Sequence, residues 1–382
     1  MLDAKAPTKK REANIELLRM IFMAMIVMLH VLKRTGLLDT SSGLKYEVAW
    51  ILEILSYASV NGFLIIAGWV NLNNRFKLSR IGKLWGQAVF WVLLFNVIGC
   101  AADRAFSLRA IIGSFFPFST RQYWFYTYFF ILMFFMPFLN RMVRSLKKNT
   151  CIGLFGTVLV VFSVIPFIYR QVGPLWTEDI FYVQRGYSLI WFLAVYVLGA
   201  LLRRMHDLKT EEGGTEEGGL PERAESVRFR LSGRTGILFY FIGTAATYLL
   251  CRLCRSAGVY EYAAVSYASP LIVMSAIALF LFFRTVRVRG AWEKAVLFLA
   301  PGTFGVYLIH SNANVVPVFI RGVARIAQMR IRYMVPSLFL VVLIVMFVCL
   351  LMDLARGRLF QAVRLNAWFE KLDRTRFQSF FE

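Results

Sequence analysis

The sequence predicts an all-α, polytopic membrane helical bundle with about ten transmembrane helices and both termini in the cytoplasm. Hydrophobic residues make up 58% of the 382 residues, charged residues make up only 17%, and the mean hydropathy is +0.60. This composition is too apolar for a soluble domain of that length. The apolar residues are gathered in runs that are long enough to cross about 30 Å of hydrocarbon as helices. The chain is therefore predicted to be an integral membrane protein.

The predicted spans and the basic residues between them give a topology. The spans cover residues 15–32, 48–72, 84–102, 123–139, 151–168, 187–202, 236–254, 267–283, 295–315 and 335–354. An even number of spans places both termini on the same side of the membrane. Roughly two thirds of the 44 Lys and Arg residues fall on that side, which is typical of the cytoplasmic face.

Four regions are predicted along the chain. Residues 1–14 form a basic cytoplasmic N-terminus, 15–355 the membrane domain, and 356–382 a cytoplasmic amphipathic tail that lies at the interface. Within the membrane domain, residues 203–234 are predicted to be a flexible cytoplasmic linker, because the acidic and glycine-rich stretch at 211–219 cannot pack. The net charge of +22 is spread over short clusters, so no nucleic-acid partner is expected. The spacing of the five cysteines indicates neither a metal site nor a disulfide framework.

The first predicted span contains three ionisable side chains, Glu16, Arg19 and His30. Such groups are costly inside a bilayer and mark functional sites by default. At about 100° per residue, Arg19 and His30 differ by about 20° in direction and by about 16 Å along the helix. Glu16 is placed to pair with Arg19 one turn away. Taken alone, Arg19 could be an arginine at the membrane interface and His30 a buried, hydrogen-bonded histidine. Their position on one face of the same helix favours a functional site.

Topology gives three titratable side chains a similar depth. His30 and His310 each lie about 20 Å of helix above the inner end of their spans, which places both in the outer half of the membrane. Glu53, in a span that descends from the outer face, is predicted at the same level. The three groups are candidates to converge, because a carboxylate beside an imidazole would orient it as a general base. His206 falls in the predicted linker and is interpreted as a solvated residue.

Basic residues gather at the predicted inner face. The positive-inside rule explains any one of them, but together they would suit an anionic, phosphate-rich ligand. A long ligand with phosphates at one end and a reactive group about 16 Å away would match the distance to His30, and acyl-CoA has that shape. The residues predicted to bind it are Arg19, Lys77, Arg80, Lys83, Arg284 and Arg287.

Several motifs occur in an order and spacing that resemble one known family. Arg19 and His30 are separated by ten residues, with an acidic residue at Glu16. The segment 60–69 reads Val-Asn-Gly-Phe-Leu-Ile-Ile-Ala-Gly-Trp, and Lys77 and Arg80 follow it. Later come Tyr-Trp-Phe-Tyr-Thr-Tyr at 123–128, Met-Pro-Phe-Leu-Asn at 136–140 and Phe-Gly-Val-Tyr-Leu-Ile-His at 304–310. Across residues 12–355 this pattern resembles the acyltransferase-3 family of integral membrane acyltransferases.

The resemblance implies transfer of an acyl group, most often acetyl, from cytoplasmic acyl-CoA to a hydroxyl of an extracytoplasmic or lipid-linked glycan. It implies an O-acyltransferase of the cell envelope in a bacterial plasma membrane, with the acyl-CoA, the glycan and membrane lipids as partners. Acetyl-CoA is the expected donor, and no metal is expected.

The resemblance also implies roles for individual residues. His30 is expected to act as the general base, and Arg19 to hold either the donor or the helix geometry, with Glu16 orienting it. His310 or Tyr307 would position the acceptor or stabilise the developing oxyanion. The full expected set consists of the catalytic residues His30, Glu16, Arg19, His310 and Glu53, and the substrate-binding residues Trp124, Tyr126 and Tyr307.

Two other interpretations of the same residues stay open. In a transporter or flippase for a saccharide or a lipid-linked precursor, His30, Glu53 and His310 would form a proton relay. That interpretation explains the intramembrane charges, but it explains less well why basic residues and a histidine share one helix face. A sensor with a vestigial acyltransferase bundle would retain the fold without the chemistry.

Overall fold

The computed structural model describes residues 11–102, 104, 106–119, 123–172, 181–213, 233–258 and 264–381. These ranges contain helices and connections and no strand, so the predicted helical polytopic bundle is confirmed. Most of the basic N-terminal region and residues 214–232 of the predicted linker lie outside the described ranges. Residues 203–213 of that predicted linker are helical instead. The flexibility of the rest of the linker stays a prediction.

The helices follow one another along the chain with short connections. They are α1 (Ala13–Thr35), α2 (Leu37–Thr40), α3 (Gly43–Asn71), α4 (Leu78–Ala102), α5 (Leu108–Gly113), α6 (Trp124–Arg144), α7 (Lys148–Leu159), α8 (Ile165–Val172), α9 (Leu189–Gly213), α10 (Gly233–Ser256), α11 (Pro270–Thr285), α12 (Ala291–Leu299), α13 (Thr303–His310), α14 (Val316–Val323), α15 (Ile331–Ala362), α16 (Leu365–Glu370) and α17 (Arg376–Ser379). A π-helical turn, Val160–Val164, joins α7 to α8.

Eight helical segments of the described chain are long and apolar enough to cross a membrane. They are α1, α3, α4, α6, the α7–α8 unit, α9, α10 and α15. The predicted eighth span corresponds to α11, which is shorter at 16 residues. The predicted ninth span is broken: Pro301 lies in a 3₁₀ turn, Ala300–Gly302, between α12 and α13, because proline cannot donate the backbone hydrogen bond that would continue α12. The count of ten spans and the cytoplasmic termini stay predictions.

Helix α1 lies at the centre of the bundle, where it packs against α3, α11, α13 and α15. Its inward side chains, such as Leu18 and Phe22, are fully buried. It ends at Gly36, whose φ of 72° is the left-handed conformation that closes helices. The close approach of α3 to α9 depends on Gly68 and Gly199, because a side chain on either would collide with the backbone of the other helix.

The C-terminal residues fold back onto the first turn of α4. Instead of one amphipathic tail helix, α15 continues to Ala362 and the two short helices α16 and α17 follow it. Asp373 accepts hydrogen bonds from the backbone N–H and the hydroxyl of Ser79, at 2.8 and 2.7 Å. Gln378 accepts from the backbone N–H of Leu78 at 3.0 Å. The tail thus satisfies N–H groups that a helix start leaves without an intrahelical partner.

Candidate active site

A continuous cavity of about 1710 Å³ runs along α1. At every third or fourth position, from the N-cap of α1 to its last turn, one residue lines the cavity: Glu12, Glu16, Arg19, Met23, Ile26, His30 and Lys33. At 1.5 Å per residue this stripe is about 32 Å long, close to the thickness of the hydrocarbon core. Arg19 and His30 therefore share one face and one cavity, as their spacing predicts.

Two histidines, His30 and His310, meet at the side of this cavity. The Nδ1 atom of His30 on α1 lies 2.8 Å from the Nε2 atom of His310 on α13. The ring centroids are 4.9 Å apart. His310 is buried, with 2% of its surface exposed, whereas His30 is partly exposed and lines the cavity. We name this pair, His30 and His310, the histidine dyad.

The hydrogen bonds of the dyad fix where the protons lie. The Nδ1 atom of His310 is 2.6 Å from the carbonyl oxygen of Val306, and a carbonyl can only accept, so this Nδ1 carries hydrogen. In a neutral imidazole the Nε2 atom of His310 is then an acceptor, which requires His30 to donate from its own Nδ1. The Nε2 atom of His30 is left with a free lone pair. The histidine that contacts the cavity is thus the one that can take a proton.

Further contacts hold the end of α13 that carries His310. Arg34 donates to the carbonyl oxygen of His310 at 3.2 Å. The hydroxyl of Tyr123 donates to the carbonyl oxygen of Leu308 at 2.7 Å and accepts from the side chain of Asn312 at 2.9 Å. These bonds tie α1, α13 and the start of α6 together, so the imidazole of His310 is held against α1.

A buried carboxylate anchors the other end of α13. Asp353 on α15 accepts hydrogen bonds from Gln87 and Trp91 on α4, and it forms an ion pair with Arg356 at 2.7 Å. Gly305 on α13 faces this carboxyl group so closely that a side chain there would overlap it. The small residue in the sequence 304–310 therefore lets α13 approach α15.

Two residues of α13 that line the cavity carry buried hydroxyl groups. Tyr307 and Thr303 both line it, and neither buried hydroxyl finds a partner in the part of the chain that the structure describes. The ring of Tyr307 is centred 6.5 Å from that of His310. A buried hydroxyl without a partner costs free energy, so these groups are suited to donate to an oxygen of a bound molecule.

Glu53 lines the same cavity as His30. It makes no hydrogen bond to His30 or His310 among the described residues, so the three predicted groups converge only in part. Aromatic rings surround this part of the cavity, and we name Tyr57, Tyr187, Tyr267 and Trp124 the aromatic cluster.

The opposite end of the cavity is basic. Arg19 forms an ion pair with the buried carboxylate of Glu16 at 2.5 Å, as the sequence predicts. The other cationic residues that line this end are Arg11, Arg75, Lys77, Arg80 and Arg203. A smaller cavity of about 660 Å³ adjoins it and shares three of them, Arg75, Lys77 and Arg80.

Other residues predicted for the ligand lie elsewhere. Lys83 forms an ion pair with Glu370 of the tail at 2.7 Å, and Arg287 is exposed beyond α11; neither lines the cavity. Arg284 lies 3.9 Å above the ring of Trp69, which does line it. Tyr126 is fully buried and does not line the cavity.

The structure revises the interpretation of His206. The residue lies in α9 and not in a linker. Its Nε2 atom is 3.3 Å from the guanidinium of Arg284, and its ring is centred 5.3 Å from the ring of Trp69. Although its side chain is 46% exposed, His206 therefore packs against the basic end of the bundle.

Several residues that line the cavity were not predicted from the sequence. Tyr57 lies four residues after Glu53 and so shares its helix face, a relation the sequence could have given. Tyr187 and Tyr267 lie just before α9 and α11, where aromatic residues are typical of a membrane interface. Thr303 follows the broken turn at Pro301, and no periodicity distinguishes it. Only the fold brings these side chains to one cavity.

Comparison with known proteins identifies one relationship. A family model described as an acyltransferase domain matches residues 12–355, which is nearly the whole chain. Comparison with curated proteins and with solved structures gave no match. The matched range contains the histidine dyad, the aromatic cluster and the basic end of the cavity.

The proton positions in the dyad can be tested by ¹⁵N NMR of protein labelled at its three histidines. We expect both His30 and His310 to be neutral with hydrogen on Nδ1, because the carbonyl of Val306 fixes the orientation of the dyad. His206→Ala serves to assign the third signal. Hydrogen on the Nε2 atom of His30 would contradict this arrangement.

Proposed function

Because the chain belongs to the acyltransferase-3 family of membrane acyltransferases, we propose that it transfers an acyl group, acetyl above all, from cytoplasmic acyl-CoA to a glycan hydroxyl. The acceptor is extracytoplasmic or lipid-linked, and the protein acts in a bacterial plasma membrane. One observation carries the proposal: a single cavity joins a basic end to a histidine with a free Nε2 lone pair. A donor with anionic phosphates and a reactive thioester at opposite ends would use both.

In the proposed reaction the Nε2 atom of His30 removes the proton of the acceptor hydroxyl as its oxygen attacks the thioester carbonyl. The new carbon–oxygen bond forms and the carbonyl oxygen becomes an oxyanion. Collapse breaks the carbon–sulfur bond, and the imidazolium of His30 returns the proton to the CoA thiolate. His310 accepts the hydrogen bond from Nδ1 of His30 throughout, so it orients the ring and favours its protonated form.

The oxyanion needs a donor that is already in place. We propose Tyr307 for this role, because the residue lines the cavity and its ring is centred 6.5 Å from that of His310. His310 is less suited to this role, since both of its nitrogen atoms are engaged. Thr303, one helical turn away, offers a second hydroxyl. Preorganised donors of this kind stabilise developing charge without reorganising during the reaction.

The donor is proposed to enter at the basic end. Arg19 projects into the cavity about 16 Å from His30 along α1, and Lys77 and Arg80 lie at its mouth. Glu16 fixes the side chain of Arg19 through their ion pair. Arg284, held over Trp69, supports the wall of this end. Guanidinium groups are well suited to phosphate oxygens because they can donate two parallel hydrogen bonds.

A transporter of saccharides or lipid-linked precursors is the second candidate, favoured by the length of the cavity along α1. It would need a conformational change that exposes the cavity to each side in turn. It would not need a neutral base in the same cavity as the basic end. The two functions differ in whether the thioester bond is broken.

His30→Ala should abolish the breakdown of acetyl-CoA by the purified protein, because the proposed reaction has no other group that takes the acceptor proton. The expected loss is about 10²–10⁴-fold in kcat, measured as CoA thiol release with and without glycan acceptor. Retained binding of the donor would show that the variant is folded. A wild-type protein that releases no CoA under any condition would contradict acyl transfer and favour transport.

Substitutions at Arg19 should act on the donor and not on the chemistry. We expect Arg19→Ala to raise the KM for acetyl-CoA about tenfold or more, since a charge-assisted hydrogen bond is lost. Arg19→Lys should retain part of the affinity, because it keeps the charge without the planar fork. Arg358→Ala, at an exposed position of α15, is the matched control. An unchanged KM in Arg19→Ala would mean that this arginine is purely structural.

A further inference from the structure

Glu53 is a buried acid without a complete set of partners. Only 5% of its surface is exposed, and its Oε2 atom has no hydrogen-bond partner among the described residues. It nevertheless lines the main cavity. A carboxyl oxygen that is withdrawn from water and left unpaired is destabilising, so the protein bears a cost here that a bound molecule could remove. The terminal torsion of a glutamate is broad, so either oxygen can turn toward the cavity.

The aromatic cluster surrounds the same part of the cavity. The ring of Tyr267 is centred 4.7 Å from Tyr57, 5.2 Å from Tyr187 and 5.9 Å from Trp124. Trp124 and Tyr187 are 4.5 Å apart. Tyr267 is anchored from behind, because Asn61 donates to its carbonyl oxygen at 2.7 Å and accepts from Trp191 at 3.0 Å. The cluster is therefore a wall of packed aromatic rings.

One ring of this wall is available to a ligand. Tyr57 and Tyr267 are 6% and 5% exposed, but Tyr187 is 38% exposed and lines the cavity. An exposed aromatic ring near an unpaired carboxyl oxygen suits a ligand that has both an apolar side and a polar side. One face must carry C–H groups for the ring, and one edge must carry hydrogen-bond donors for Glu53.

We propose that Glu53 and the aromatic cluster form a subsite for a pyranose ring that presents neighbouring hydroxyl groups. The inference rests on the proposed function, since it names the part of the acceptor that the enzyme holds. The C–H face of the sugar packs on Tyr187, and two adjacent hydroxyl groups donate to the two oxygens of Glu53. In this arrangement Glu53 positions the acceptor and takes no part in proton transfer.

The charged neighbours of the subsite are consistent with a neutral ligand. Lys33 and Asp39 lie near Glu53, Arg185 lies near Tyr187, and all three line the cavity, so cationic and anionic groups are both present. A strongly charged acceptor would meet one repulsive partner whichever sign it had. A neutral polyhydroxyl ring meets none.

The subsite can be tested without any turnover. The protein is kept in a detergent without a sugar headgroup, and saturation-transfer NMR measures binding of methyl β-D-glucopyranoside, with sorbitol as the acyclic polyol. We expect saturation on the ring C–H protons of the glucoside and none on sorbitol. Glu53→Gln should weaken binding about tenfold or more, because one of the two acceptor oxygens is replaced by an amide nitrogen, which cannot accept a hydrogen bond.

Matched variants separate the subsite from general damage to the fold. Glu47→Gln is the control, because Glu47 lies on the same helix but pairs with Tyr248 and Arg252; it should bind as the wild type does. Tyr187→Phe should retain binding since the ring remains, and Tyr187→Leu should lose it. This pair carries the test if Glu53→Gln does not fold.

The results distinguish the sugar subsite from the proposed acyl transfer. Equal binding by Glu53→Gln and the wild type, equal binding of sorbitol, or no binding of the glucoside would overturn the subsite. CoA release by the wild type without glucoside binding would reject the subsite and leave acyl transfer standing. Glucoside binding that depends on Glu53, in a protein that releases no CoA, would support the subsite and reject acyl transfer.

Discussion

The hydrogen bond between His30 and His310 is the interaction on which the candidate site depends. Polar side chains inside a membrane bundle must find hydrogen-bond partners within the protein. His30 and His310 are such partners for each other. Because the carbonyl of Val306 fixes the proton of His310, the bond also fixes the proton of His30. One structural requirement, the pairing of buried polar groups, thus yields a base with a lone pair at the cavity.

Much of the surrounding architecture keeps α13 beside α1. The 3₁₀ turn at Pro301 separates α13 from α12, Gly305 lets α13 approach Asp353 on α15, and Arg34 donates to its last carbonyl. The same helix brings Tyr307 to the cavity. The short helix therefore supplies both the partner of the base and the hydroxyl group proposed for the oxyanion, and α1 supplies the base and the donor-binding arginine.

Helix periodicity was sufficient to predict the face of α1, because Arg19 and His30 lie on one helix and their relation needs no tertiary structure. Depth counted from the inner face placed His310 at the level of His30, but depth alone could not choose between His310 and Glu53 as its partner. Rotation of each helix about its axis decides that, and packing sets the rotation. Lys83 was predicted to bind the ligand, whereas in the structure it pairs with Glu370. The C-terminal tail folds back to bring Glu370 to this position, and the pattern of apolar residues does not reveal such a fold-back.

A double-mutant cycle on the dyad tests the central claim most directly. The kcat of acetyl transfer would be measured for His30→Ala, His310→Leu and the double variant, with donor binding as the check on folding. If His310 acts through His30, the double variant should be no slower than His30→Ala, because the partner has nothing left to orient. Losses that multiply, so that the double variant is slower by the product of the two single effects, would contradict the dyad and give the histidines independent roles.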